Sequence, residues 1–256
     1  KLFYKPSELA KALNEPLDYI FHMIDTGTID IKKASISYKD VYFSYHENDS
    51  FFSKFNLNIK NGERVGIVGR SGAGKSSLLR MIAGGIDPDH GRIISDGSIS
   101  WPVGFGGSAH PELTGLQNVR FVARVYGVDS GELVESVKEF AELGDHFYLP
   151  VRSYSSGMRS RLAFGLSMGI HFDTYLVDEV TSVGDAAFKE KSEDVFMDRM
   201  SISGAVMVSH SMPMVKRMCT HGAVIEDGML TYYTDIDTAV DHHLQNVRKQ
   251  QIAMGR

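Results

Sequence analysis

Two short stretches of this 256-residue sequence hold side chains that could do chemistry on a phosphate. The first is Gly69-Arg70-Ser71-Gly72-Ala73-Gly74-Lys75-Ser76-Ser77, whose residues 69–76 fit the pattern G-x-x-x-x-G-K-[ST]. Glycines at these spacings let backbone N–H groups close around phosphate oxygens, and a helix beginning there adds its positive end. Lys75 has the reach to meet β- and γ-phosphates, and the Ser76 hydroxyl can ligate Mg²⁺. The second stretch, Thr174-Tyr175-Leu176-Val177-Asp178-Glu179, is an apolar run ending in two adjacent carboxylates. Beside a phosphate loop, a strand-end aspartate helps hold Mg²⁺, which assigns Asp178 to the metal. Glu179 is then placed to orient or deprotonate an attacking water. The expected ligand is a nucleoside triphosphate with its Mg²⁺.

Two further places could face the same ligand. Ala205-Val206-Met207-Val208-Ser209-His210 reads as a buried strand with a histidine at its carboxyl end, where ligand crevices lie in open α/β sheets. Ser155, Ser156 and Gly157 stand just before a helical segment, Arg159 to Met168, and could form a second anion-binding helix start. That signal is weak when taken alone.

The elements that must position these residues follow from pattern. The run Val65-Gly66-Ile67-Val68 precedes the phosphate loop as a buried strand, and Ser76 to Ala83 follows it as a helix. Upstream, Val41, Phe43 and Tyr45 alternate with Tyr42 and Ser44, while Phe55, Leu57 and Ile59 alternate with asparagines, so an antiparallel layer is expected. Asn61-Gly62 reads as a tight hairpin into the Val65 strand, and Asp96-Gly97 as the turn of a second hairpin over Arg92 to Ser100. Tyr45 is a candidate for stacking on a base, although periodicity alone favours a packed strand tyrosine. A Gly-rich loop follows Trp101 and ends at His110-Pro111.

Thr114-Gly115-Leu116-Gln117 is a capping box predicting a helix through Tyr126, and Asp129 predicts another that stops at Leu143-Gly144. Residues 113–170 therefore form a mainly helical subregion. Ala186 to Met200 is expected as a helix, Val224 to Leu230 as a closing hairpin and residues 237–250 as a terminal helix. At the other end, residues 1–33 read as a two-helix extension. Its five lysines are cancelled by Glu8, Glu15, Asp18, Asp25 and Asp30, so its faint likeness to excisionase-type DNA readers lacks a basic face.

Totals narrow the class further. A net charge of −5 argues against a nucleic-acid binder, and the lone Cys219 excludes an internal disulfide. Cys219 is expected to pack rather than react. No apolar run approaches the roughly 20 residues of a membrane span, and no signal-peptide core is seen, so a membrane role would need a second chain.

In this order and spacing the chain resembles the ATPase subunits of ABC transporters, from about Ile36 to Leu230. The likeness rests on Gly69–Ser76, the signature-like Tyr154-Ser155-Ser156-Gly157-Met158, the acidic pair Asp178-Glu179 and a switch histidine at His210. It implies an α/β fold with a P-loop NTPase core, an antiparallel β subdomain and an inserted α-helical subdomain. The implied divisions are residues 34–236 for the ATP-binding domain and 237–256 for a C-terminal helix. ATP would be sandwiched between two head-to-tail chains, with Tyr45 on adenine and Ser155, Ser156 and Gly157 near the partner's γ-phosphate. Asp185 would belong to a loop that communicates across that dimer. A separate membrane permease would be the partner, and the chain would sit on the cytoplasmic face of the inner membrane.

Ser-Trp-Pro-Val-Gly around Trp101, Leu-Thr-Gly at 113–115 and Val-Asp-Glu-Val at 177–180 look like capsular polysaccharide exporters. Teichoic-acid and O-antigen exporters share much of this, and a chain ending soon after Leu230 has no space for the carbohydrate-binding domain of some O-antigen ATPases. One departure is His110, flanked by Ala109 and Pro111, where most of the family carries a glutamine. A soluble repair or translation ATPase, and a nucleotide-gated interaction module, are the competing classes.

Overall fold

The computed structural model describes residues 35–44, 50–60, 62–103, 109–178, 186–226 and 228–253. The expectations for residues 1–33, Tyr45, Glu179 and Asp185 lie outside this set.

Two sheets share the work. Strands β1 (Ile36–Ser44), β2 (Ser50–Ile59) and β4 (His90–Ser95) form an antiparallel sheet in the order β2-β1-β4. The central sheet runs β5-β6-β7-β3-β8-β9, from β3 (Arg64–Gly69), β5 (Ile99–Pro102), β6 (Thr174–Asp178), β7 (Gly204–Val208), β8 (His221–Glu226) and β9 (Met229–Tyr233). Five of its strands are parallel, and β9 turns back against β8 as an antiparallel edge.

Both hairpin expectations upstream are corrected. β2 pairs with β1, whereas β3 pairs with β7 and β8, so the hairpin expected from Asn61-Gly62 does not form and the chain changes sheet between β2 and β3. Likewise β4 pairs with β1 and β5 with β6, so Asp96-Gly97 also carries the chain from one sheet to the other. A turn dipeptide specifies a local reversal only. The burial of β3 on both faces decides that it sits in the middle of a parallel sheet rather than beside β2.

The period of two sorts the central strands between two cores. Val65, Ile67, Leu176, Val206, Val208, Ala223 and Ile225 face one side, where they meet α1 (Lys75–Ile82) and the antiparallel sheet. Val68, Tyr175, Val177, Ala205, Met207 and Val224 face the other, where the remaining helices pack. Tyr38 ties β1 to α1 by donating its hydroxyl to the Leu78 carbonyl at 2.9 Å.

Helices α2 (Gly115–Tyr126), α3 (Ser130–Ala141) and α4 (Ser156–Gly169) form the helical region the sequence predicts. Thr114 and Gln117 make the reciprocal capping box, and Asp129 accepts from the N–H groups of Gly131 and Glu132, both at 2.8 Å. The last elements are α5 (Ala186–Ile202), α6 (Met212–Met218) and α7 (Ile236–Ala253). Among the described residues no helix is long and apolar enough to cross a membrane. Cys219 is buried, and burial pushes its thiol up to about 12, which makes it an inert packing residue as expected.

Candidate nucleotide-binding site

The site assembles at the carboxyl end of the parallel strands. Gly69 ends β3, pressed against β8 so closely that a Cβ there would lie 2.6 Å from the Ile225 carbonyl oxygen. The loop then turns through Arg70–Ala73, with the Ala73 N–H on the Arg70 carbonyl at 3.2 Å. Gly74 caps α1 in the left-handed region at φ 93°, which other residues adopt only at a cost. The first-turn N–H groups of α1 thus open onto the loop as an anion-binding end.

Lys75 is 6% exposed and curls back over the loop, donating to the carbonyls of Gly69 at 2.8 Å and Arg70 at 2.7 Å. These bonds hold the loop in shape and keep the ammonium where phosphate oxygens would take over its donors. Ser76 Oγ donates to Asp178 Oδ1 at 3.3 Å, which brings together the two predicted metal ligands. A hydroxyl and a carboxylate, both hard oxygen donors, fit Mg²⁺ at this place.

His210 lies two residues beyond β7 and is exposed at the same end of the sheet. His243 of the last helix joins this neighbourhood. His243 on α7 is half-buried, and burial lowers its pKa, with the charges of Lys75, His210 and His242 acting in the same direction and Glu226 opposing. Asn246 and Gln250 of α7 donate to Glu226, which follows the residue paired with Gly69. The terminal helix is thereby fixed alongside the phosphate loop.

The signature-like residues sit elsewhere, at the start of α4. Ser155 is the N-cap, its Oγ accepting the Met158 N–H at 3.2 Å, and Ser156 begins the helix one turn earlier than expected. Accepting through a lone pair leaves the Ser155 O–H able to donate. Tyr154 is buried and donates to the His146 carbonyl at 2.7 Å, while Arg159 donates to the Tyr154 carbonyl. The Ser155 side chain thus caps its own helix.

The loop at His110 is organised by a residue that sequence reasoning missed. Asn118, 1% exposed on α2, accepts the His110 N–H at 2.7 Å and donates to the carbonyls of His110, Leu113 and Thr114. Val151 N–H and Arg152 N–H bond the carbonyls of Leu113 and Pro111, so this loop is stitched to the segment leading into Tyr154.

Residues 52–182 match the ABC transporter family. The chain belongs to that family. Membership makes the chain an ATP-binding ATPase. The polysialic acid transport ATP-binding protein KpsT of Escherichia coli is 50% identical over 196 residues, spanning 75% of this chain and 87% of that protein. The capsule polysaccharide export ATP-binding protein CtrD of Neisseria meningitidis is 42% identical over 185 residues, spanning 72% and 86%. A dimeric, post-hydrolysis ATP-binding cassette bound to ADP and Pi superposes with a TM-score of 0.64 at 23% identity, covering 78% of this chain and 98% of its own. That likeness supports the ABC ATPase fold read above.

Proposed function

We propose that this chain is the ATP-hydrolysing subunit of an ABC exporter for polysaccharide, with capsular polysaccharide as the substrate class. The observation that carries this reading is its 50% identity to KpsT over most of that protein's length. A second copy of the chain and a separate membrane permease complete the transporter, with the ATPase held at the cytoplasmic face through the permease. Teichoic acid or O-antigen is the alternative cargo.

In the ATP-bound state Tyr45 stacks on adenine, and the N–H groups of Arg70–Ser77 together with Lys75 hold the phosphates. Ser76 and Asp178 would hold Mg²⁺, whose charge neutralises β- and γ-phosphate oxygens when bound. Glu179 accepts a proton from the attacking water as its oxygen bonds to the γ-phosphorus and the β–γ bridge breaks. His210 contacts the transferred phosphate. Ser155, Ser156 and Gly157 of one copy donate to the γ-phosphate held by the other, and Asp185 links the two sites. Each γ-phosphate then touches both chains, so ATP favours the closed pair more than ADP does.

The permease surface is assigned to α2 beside the His110 loop. Phe121 and Val125 stand one turn apart and are 59% and 61% exposed, flanked by Arg120 and Arg124. Apolar side chains left this open suit a covered face.

Glu179→Gln tests the reading. ATP binding is retained, turnover falls by orders of magnitude, and ATP traps a dimer on size-exclusion chromatography. Normal hydrolysis by that variant would refute the assignment of the base. Stimulation of the purified permease complex by capsular polysaccharide, and not by teichoic acid, separates the cargoes.

A further inference from the structure

We propose that Asp89 is a positioning residue for the nucleotide base, acting through the end of β1. The proposal rests on the reading of Tyr45 as the base-stacking residue, because Tyr45 is the next residue in the chain after Ser44.

The carboxylate of Asp89 accepts two bonds from Ser44 on one oxygen. The Ser44 backbone N–H donates to Oδ2 at 2.7 Å and the Ser44 hydroxyl donates to the same atom at 2.9 Å. In return the Asp89 N–H donates to the Tyr42 carbonyl at 2.9 Å. β4 begins at His90, opposite Tyr42, so Ser44 lies beyond the β1–β4 ladder and its N–H is taken by the Asp89 side chain.

On its other side β1 stays paired with β2 as far as Ser44, opposite Ser50, but irregularly. Its register with β2 shifts between Tyr38 and Val41, between Val41 and Phe43 and again between Phe43 and Ser44. Asp40, within the first of these irregularities, has φ 48°. At this irregular end of β1 the Asp89 carboxyl oxygen is a further anchor, accepting from both the N–H and the hydroxyl of Ser44. Ser44, at the end of β1, is thus held by a side chain 45 positions away in sequence.

Asp89 is itself exposed, so its role is not that of a core residue. Both bonds end on one oxygen, which an amide oxygen can imitate, so the geometry needs an acceptor and not a charge.

The test uses the purified chain, with ATP as substrate and inorganic tripolyphosphate as a competitor that lacks a base. Asp89→Leu raises the KM for ATP about five-fold, a part of what base–aromatic stacking is worth, with kcat within about two-fold. The tripolyphosphate inhibition constant stays unchanged, and Asp89→Asn behaves as wild type. In a Tyr45→Ala background Asp89→Leu adds nothing further. A parallel rise in the tripolyphosphate constant, or additivity with Tyr45→Ala, overturns the proposal. So does a normal KM in Asp89→Leu when Tyr45→Ala raises it. If Tyr45→Ala itself leaves the KM unchanged, the base-stacking reading fails first and the proposal falls with it.

Discussion

Ser76 Oγ and Asp178 Oδ1 lie 3.3 Å apart although 102 positions separate them in sequence. The sheet order explains the meeting. Asp178 pairs with Val208, and Val208 pairs with Ile67, so β6, β7 and β3 end side by side. The loop after β3 then curls α1 back over that edge, and the acid at the end of β6 meets the helix's second residue. The phosphate loop and the strand-end acid meet because parallel strands bring their carboxyl ends to the same rim.

This pair carries the first prediction. Asp178→Asn keeps the shape but loses the charge that a divalent cation needs. ATP hydrolysis is expected to fall on the order of 100-fold, with a higher Mg²⁺ requirement, while ATP binding in EDTA changes little. A Mg²⁺ titration of the ATPase rate alongside equilibrium nucleotide binding checks it. An unaltered Mg²⁺ dependence would remove Asp178 from the metal site.

The second prediction concerns Asn118. Its amide satisfies one N–H and shares its donors among three carbonyls inside a nearly closed pocket. Asn118→Ala takes the partner of the His110 N–H and one of two donors from each of the three carbonyls, at a cost of roughly 2 kcal/mol in unfolding free energy. Amide hydrogen exchange is expected to quicken at His110 and in the segment after Leu113. A loss of stability with no change in exchange there would mean that the loop is held by other contacts.

Most of the fold is legible from local pattern. The capping box at Thr114, the alternating Val41 and Phe43, and the Gly69–Ser76 loop each specify a local geometry that the structure keeps. The two turn dipeptides misled because pairing is decided elsewhere: β3 needs two parallel neighbours to bury both of its faces, and they come from residues about 140 and 155 positions downstream. Asn118 and Asp89 were invisible for a related reason. Each acts on a partner distant in sequence or on several backbone groups at once, and neither leaves a periodic mark. Asp178 and the histidine after β7 could be placed at the rim from sequence because strand ends carry meaning in an α/β sheet.

A third prediction tests how tightly α7 is seated. Gly222 on β8 faces Ala239, and a Cβ added there would lie 2.2 Å from the Ala239 Cβ. Gly222→Ala must push the helix outward or distort the strand, at about 1–3 kcal/mol. Ala239→Gly on its own costs about 1 kcal/mol through helix propensity. The double variant reopens the gap, so it should be more stable than the sum of the two single losses implies. Urea unfolding of the four proteins measures the coupling, and simple additivity would show that the contact is slack.

The last prediction is a pH dependence set at the base of the helical region. Arg199, 7% exposed, donates through Nε and Nη2 to the Met168 carbonyl at 3.1 and 2.6 Å, and its Nη1 stands 3.4 Å from His171 Nδ1. A guanidinium can only donate, so Nδ1 must be the unprotonated nitrogen of a neutral ring. Burial first, and then the Arg199 charge, lower the His171 pKa from 6.5 to about 4, with Asp173 pulling the other way. Between those two values the unfolded chain binds a proton that the folded chain refuses, so stability falls as pH drops through that window. The loss reaches roughly 3 kcal/mol once both states are protonated. Wild type should therefore lose more of its urea midpoint between about pH 7 and about pH 5 than His171→Asn does, because the variant has no imidazole to protonate. Equal losses in the two proteins would place the acid sensitivity at other groups and leave His171 as simple packing.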